Sequence, residues 1–410
     1  MSLDLAFVRS QFPAFSESSL EGMRFFENAG GSYACAPVID RLTRFYRERK
    51  VQPYASYDAS RLGGEEMDEA RTRLAAWMGV DTEEVTFGPS TTQNTYVLSQ
   101  AVREWLNEGD AIIVTNQDHE ANSGAWRRLA DAGITVKEWQ IDPETGHLNP
   151  DDLSDMLDES VRLVCFPHCS NVVAEINPVA EITALAHAAG AFVCVDGVSY
   201  APHGIPDVGG MGPDIYMFSS YKTYGPHQGI MVVRKSIGDI LPNQAHYFNG
   251  GALYKRFSPA GPDHAQVAAC AGIMDYFEAL AAHHGIDTVK TGSQSATTNA
   301  LHDLFRDHEI ALSKPLIEYL SSKNTIQMLG PQSAETRAPT FALKTQDNPA
   351  DLAKELFKHG IMADASDFYA VRPLGAMNVP LDPGVLRLSF VHYTAPEDID
   401  ALISALDQVL

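Results

Sequence analysis

Between residues 65 and 235 short apolar runs alternate with helical stretches, and this alternation limits the possible folds more than any other feature. Strand-like runs fall at 85–87, 111–115, 161–166, 191–195, 215–218 and 230–233. Between them lie helical patterns: Met67, Ala70, Leu74 and Trp77 recur at one-turn spacing, and the stretch 179–189 stops at Gly190. Apolar strands joined through helices predict an α/β fold with a mostly parallel sheet covered on both faces. Such a sheet binds ligands at the carboxyl ends of its strands.

After about residue 255 the pattern changes. A long helical pattern over 264–282 leads to strand candidates at 324–329, 339–343 and 385–390 and a closing helix at 396–410. We therefore expect a large domain over 20–255 and a smaller α+β domain over 256–410, with residues 1–19 packed against the latter. The Gly- and Pro-rich loop 366–383 reads as mobile or ligand-facing. The pairs Gly30-Gly31 and Gly63-Gly64 read as turns.

Two apolar runs end on residues that work together chemically. Asp196 closes Phe192-Val-Cys-Val-Asp196-Gly197, and Lys222 follows Ile215-Tyr-Met-Phe-Ser219 on a polar turn. A pyridoxal phosphate enzyme needs such a pair. The amine forms a Schiff base with the cofactor aldehyde, and the carboxylate keeps the pyridine nitrogen protonated so that the ring accepts electrons.

Four further segments carry polar groups at strand or helix ends, each with a plainer reading beside it. Ser90-Thr91-Thr92 before a helix expected at 95–106 is either a phosphate cup or an N-cap cluster. His119 is either a ring-stacking base or a surface cap. Asn171 either donates to a cofactor oxygen or forms a turn. Arg387, in an apolar strand pattern, offers a planar fork to a substrate carboxylate, or is an arginine on an alternating strand.

Composition narrows the classes further. The chain has 410 residues, 30 Lys and Arg against 53 acids and a formal charge of −23, which disfavours nucleic acid as a partner. Its N-terminus lacks a cationic start followed by an apolar core, and no apolar run reaches the roughly 20 residues of a membrane span. Five cysteines without paired spacing suit a reducing compartment, so a cytoplasmic location is expected. Cys165 and Cys169 lack a second ligand pair, and no metal is expected. No G-x-G-x-x-G follows the first strand, which disfavours a dinucleotide enzyme.

Together Phe26-Glu27-Asn28-Ala29-Gly30-Gly31-Ser32, Asp118-His119-Glu120-Ala121-Asn122, Ser170-Asn171-Val172-Val173, Asp196-Gly197 and Phe218-Ser219-x-x-Lys222-x-Tyr224-Gly225-Pro226 make the chain resemble the class V aminotransferases. These are fold-type I pyridoxal phosphate enzymes, and the likeness is strongest to their cysteine-desulfurase-like branch. It implies a large domain with a mostly parallel sheet of the seven-stranded type sandwiched by helices, a smaller α+β C-terminal domain, and a homodimer with shared active sites.

The resemblance also implies residue roles. Lys222 would be the Schiff-base lysine, Asp196 the pyridinium partner and His119 the stacking ring. Asn171 would touch cofactor or substrate, Thr91, Thr92 and Ser219 would hold the phosphate, and Arg387 would clamp the carboxylate of a small amino-acid substrate. Gly261 would reach the neighbour's phosphate.

The departures are informative. Tyr221 replaces a histidine before the lysine and keeps a phenol for the phosphate. Ser199 replaces a long amide near the phenolic oxygen, and Gly261 replaces a threonine. The loop Ser366-Asp-Phe-Tyr369-Ala-Val-Arg372-Pro has no cysteine, which disfavours a persulfide-forming desulfurase. Ser32, Tyr33, Tyr57, Tyr369 and Arg372 are candidate side-chain selectors. The expected activity is therefore amino transfer or β-elimination; the rival reading is a catalytically silent dimer that serves as a binding protein.

Overall fold

A computed structural model describes residues 2–286 and 294–410. Its central element is a seven-stranded sheet of β1 (Val85–Gly88), β2 (Ala111–Thr115), β3 (Thr135–Trp139), β4 (Val161–Pro167), β5 (Phe192–Asp196), β6 (Ile215–Ser219) and β7 (Gly229–Val233), ordered β3-β2-β4-β5-β6-β7-β1. All neighbours run parallel except β7, which is antiparallel to β6 and β1.

Side chains alternate between the two faces of this sheet, as the strand period requires. Ile112, Val114, Leu163, Cys165, Cys194, Ile215 and Met217 pack on one face. Ile113, Val164, Phe166, Val193, Val195, Tyr216 and Phe218 pack on the other. Each fully buried aliphatic or aromatic side chain of this kind contributes about 1.5–3 kcal/mol. Both faces are covered, which explains why the strands read as continuous apolar runs.

The six expected strands are present. The seventh strand that the resemblance implied is β3, which no apolar run marks: it lies at the sheet edge, and its Thr135, Val136, Lys137 and Glu138 stay partly or fully exposed. The helix expected from 95 begins a turn earlier, at Thr91–Trp105, with Ser90 Oγ accepting the Gln93 amide at 3.2 Å. The long helical pattern at 264–282 forms two helices, His264–Ala269 and Ala271–His283, divided at Cys270.

Gly63 and Gly64 are not turn residues, contrary to expectation. Both are buried inside the helix Asp58–Met78. A Cβ on Gly63 would meet the Phe45 ring at 3.5 Å, and one on Gly64 would meet Tyr54 Cδ1 at 2.6 Å. These glycines let neighbouring rings lie against the helix, so close packing takes precedence over helix propensity.

The C-terminal part carries an antiparallel sheet of β8 (Ile326–Met328), β9 (Thr340–Thr345), β10 (Asp364–Ser366) and β11 (Val385–Ser389), in the order β10-β11-β9-β8. Two features cross the divisions expected near residues 20 and 255. Arg24–Phe25 pairs with Ile361–Met362, and Phe26 belongs to the C-terminal core. The helix Gln294–Ser321 places Leu301, Leu304 and Phe305 in the central cluster and Leu312, Leu316 and Leu320 in the C-terminal one. The N-terminal residues contact both parts: Arg9 Nε donates to the Tyr393 carbonyl at 2.9 Å, while Val8 and Phe12 enter the central cluster.

At one point the sheet touches the start of a helix. A Cβ on Gly229 would come within 2.5 Å of the Ser90 carbonyl carbon and 2.7 Å of the Thr91 nitrogen. Backbone cannot yield as a side-chain tip does, so Gly229→Ala should lower stability by about 1–3 kcal/mol. Gly251→Ala, with nothing within 4 Å of its Cβ, should leave the unfolding midpoint unchanged. Equal urea midpoints for the two variants would contradict this packing argument.

Candidate active site

The carboxyl ends of β4, β5 and β6 and the start of the helix Thr91–Trp105 border a cavity of about 140 Å³. Its walls include Thr92, His119, Asn171, Asp196, Ser219 and Lys222. An adjoining cleft shares Thr92, His119, Asn171 and Lys222 and adds Glu27, Phe368, Tyr369 and Arg387. Residues far apart in the sequence thus meet where the switch from strand to loop leaves space.

Lys222 ends a tight 3₁₀ turn, Ser220–Lys222, immediately after β6. Burial pushes its amine down to about 8; the Arg387 charge acts in the same direction, and Asp196 and Glu27 oppose it. Asp196 ends β5 and accepts the Val198 amide at 2.8 Å. Burial raises its carboxyl to about 6, against the lowering effects of that amide and of Lys222.

Asp118 is also buried, and desolvation together with the Asp196 charge holds its carboxyl well above the usual range. One of its oxygens accepts from Asn122 Nδ2 at 2.6 Å, and the other has no protein partner. Burial and the Asp196 charge thus both favour the protonated form of Asp118.

His119 caps the helix Glu120–Arg127, its Nδ1 accepting the Ala121 amide at 3.0 Å. Burial and the nearby Lys222 and Arg387 charges press it down to about 3. The ring is therefore neutral near pH 7, with its proton on Nε2.

Asn171 donates from Nδ2 to the Phe368 carbonyl at 2.9 Å, while its Oδ1 is buried without a protein partner. Thr91 Oγ lies 2.8 Å from Ser219 Oγ, bracing it, and Thr92 is exposed in the cavity wall. Ser199 and Tyr221 also line the cavity.

These donors fit a phosphorylated pyridine aldehyde. Hydroxyls and a 15-residue helix N-terminus suit the phosphate, and an amine and an acid lie on the same wall. Asp118 and Asn171 each keep a buried polar atom without a partner. Gly197 is required beside Asp196, because a Cβ there would lie 2.2 Å from the Tyr216 ring.

Several expected selectors lie elsewhere. Ser32 is a strap: its amide donates to the Tyr221 carbonyl at 3.1 Å and its Oγ to the Lys222 carbonyl at 2.7 Å. Tyr33 packs against Phe15, Phe25 and Tyr393, and Tyr57 is an exposed residue before the helix Asp58–Met78. Arg372 Nε faces Glu120 at 3.2 Å, so its charge is already paired. Tyr369 does line the cleft, with its ring 5.5 Å from that of His119. Gly261 stands in a separate apolar cleft with Pro89, Tyr96 and Phe257.

Three residues at the site were given no role from sequence. Glu27 pairs with Arg387. Phe368 lies 3.7 Å beneath the Arg387 guanidinium. His227 stacks on Tyr221 at 4.9 Å and lines the cavity, returning an imidazole to the wall where Tyr221 had removed one. Only Glu27 carried a signal, its place in the Phe26-Glu27-Asn28 motif; the other two depend on how loops fold back.

The lowered Lys222 amine sets a pH dependence. Its neutral fraction grows as pH rises through about 8, whereas an ordinary lysine needs about 10.4. Covalent capture of pyridoxal phosphate by the apoprotein, followed by absorbance, should reach half its maximal rate near pH 8. A midpoint near 10 would contradict the burial effect.

Comparison with known proteins gives a consistent picture. The family model described as Aminotransferase class-V matches residues 24–402. Aminotransferase-like protein FGM3 of Gibberella zeae is 33% identical, covering 100% of this chain and 99% of its own. A cysteine desulfurase of Serratia proteamaculans is 27% identical with the same coverage. Among solved structures, the apo cysteine desulfurase of Thermococcus onnurineus superposes with a TM-score of 0.85 at 21% identity, covering 100% of this chain and 98% of that one. The cysteine desulfurase CsdA of Escherichia coli gives a TM-score of 0.81, also at 21% identity. The fold is that of fold-type I pyridoxal phosphate enzymes, and the chain belongs to the class V aminotransferase family, whose cofactor is pyridoxal 5′-phosphate.

Proposed function

We propose that this protein is a pyridoxal phosphate-dependent enzyme acting on a small α-amino acid, as an aminotransferase or a β-lyase that cleaves a C–S or C–Se bond. The observation that carries this reading is the buried Lys222 amine, lowered to about 8, in one cavity with Asp196 and next to a cleft that presents Arg387.

When bound, the cofactor supplies an electron-withdrawing ring that acidifies the substrate α-carbon. The side chains do the remaining work. Arg387 binds the substrate carboxylate and fixes the α-carbon in place. Asp196 would hold the proton of the ring nitrogen, and its buried setting would strengthen that charge interaction. A neutral His119 would cover one face of the ring without adding a competing positive charge.

Lys222 Nζ removes the α-proton and returns it at a later step. Thr92, Ser219 and Tyr221 would hold the phosphate, with Thr91 bracing Ser219, and Asn171 and Ser199 would border the ring. Buried Phe368 walls the cleft beside Arg387, and Tyr369, exposed at its mouth, helps select the side chain.

A persulfide-forming desulfurase fits poorly. Among the described residues no cysteine lines the Arg387 cleft. Cys169, in the cofactor cavity, is a buried thiol raised to about 12 and so holds its proton.

A cytoplasmic homodimer with shared active sites is part of the same proposal. Tyr96 lines both the substrate cleft and the apolar cleft that holds Gly261, so a second copy seated there would adjoin the site. Among the described residues no helix is long and apolar enough to cross a membrane.

A panel of α-amino acids scored for pyruvate, ammonia, sulfide and keto-acid-dependent amine transfer tests the reading. At least one product should form and should vanish in Lys222→Ala. Arg387→Ala should raise KM about 10–100-fold, the loss expected for a charged hydrogen-bonded pair. Turnover retained in Lys222→Ala would overturn the proposal.

A further inference from the structure

The fork assigned to the substrate carboxylate already holds a carboxylate from this chain. Glu27 Oε1 pairs with Arg387 Nη2, and Arg387 Nε donates to Glu27 Oε2 at 3.4 Å. The third nitrogen, Nη1, donates to the Asn171 carbonyl at 3.4 Å, and the Phe368 ring covers one face of the group at 3.7 Å. Arg387 is only 3% exposed, so water does little to screen this pair. We propose that Glu27 is an internal competitor of the substrate: it occupies the carboxylate seat on Arg387 in the empty enzyme and swings aside when a substrate carboxylate enters. The proposal rests on the reading of Arg387 as the carboxylate clamp.

The local geometry allows the side chain to move while the backbone stays fixed. Glu27 is bridged to Ser389 on the strand that carries Arg387, and the Ser389 amide donates to the Phe26 carbonyl at 2.7 Å. The Glu27 carboxylate lines the open cleft and reaches Arg387 across a gap left by a missing side chain. A Cβ on Gly30 would lie 2.7 Å from Glu27 Oε1. With both carboxylates present, one cation would face two like charges a few ångströms apart, so the arriving one displaces the resident one. While Glu27 holds the seat, apparent affinity falls by the fraction of time the seat is free. Through this seat Glu27 helps set the KM for carboxylate-bearing substrates and leaves amines without a carboxylate unaffected.

The test uses the cofactor-loaded enzyme and a matched pair of probes, L-alanine and ethylamine, which differ only by the carboxylate. Dissociation constants come from titration of the cofactor absorption band. Glu27→Gln weakens the resident pair and should strengthen L-alanine binding about tenfold relative to ethylamine, since a charge-assisted hydrogen bond is about twice as strong as a neutral one; ethylamine reports the effect of the lost charge on Lys222 that both probes share. Gly30→Ala, which pushes the Glu27 carboxylate off its seat without altering its charge, should shift L-alanine in the same direction. Weaker L-alanine binding relative to ethylamine in Glu27→Gln, or an equal change for both probes, would overturn the proposal. Arg387→Ala separates the two readings: unchanged preference for L-alanine over ethylamine in that variant would refute Arg387 as the clamp, whatever Glu27 does.

Discussion

The structure depends on withdrawing one amine from water without leaving its charge unbalanced. Lys222 is buried at the end of β6, where an ammonium is costly. Burial and Arg387 favour the neutral amine, while Asp196 and Glu27 favour the charged one. The outcome is a group near 8, able to exist in either form under physiological conditions. Lys222 does not reach this state alone; it requires a parallel sheet whose β5 and β6 end side by side, so that Asp196 and Lys222 meet in one wall.

The surroundings of the amine follow from the same requirement. The segment around Ser32 straps the lysine turn through its carbonyls, and Tyr224 and Gly225 close the turn beneath it. Burial first, and then the charges they face, press His119 towards its neutral form and Asp118 towards its protonated one. Each buried titratable group therefore takes the form that its neighbours permit. The charge pattern of the cavity is a property of the fold rather than of any single side chain.

Much of this was legible in the sequence. The six central strands were apparent because both sheet faces are buried, and Lys222, Asp196 and His119 were apparent because strand ends are where such folds keep their chemistry. What escaped has physical causes. The edge strand β3 is polar because it is half solvated. Gly63 and Gly64 looked like turns because their reason for being glycine, the rings of Phe45 and Tyr54, lies on other segments. Ser32 and Tyr33 belong to or adjoin the motif in sequence, but hydrogen bonds to the lysine turn and aromatic packing give them other tasks, and Tyr57 is exposed before the helix Asp58–Met78. The motif Phe26-Glu27-Asn28 gives Glu27 no role on its own, because its partner is 360 residues away in the chain.

The central claim is that one lysine of this chain carries the cofactor. Borohydride reduction of the cofactor-loaded protein, followed by proteolysis and mass spectrometry, examines it directly. The account predicts a single pyridoxyl mass addition on the peptide containing Lys222. Attachment to a different lysine, or no attachment at all, would contradict it.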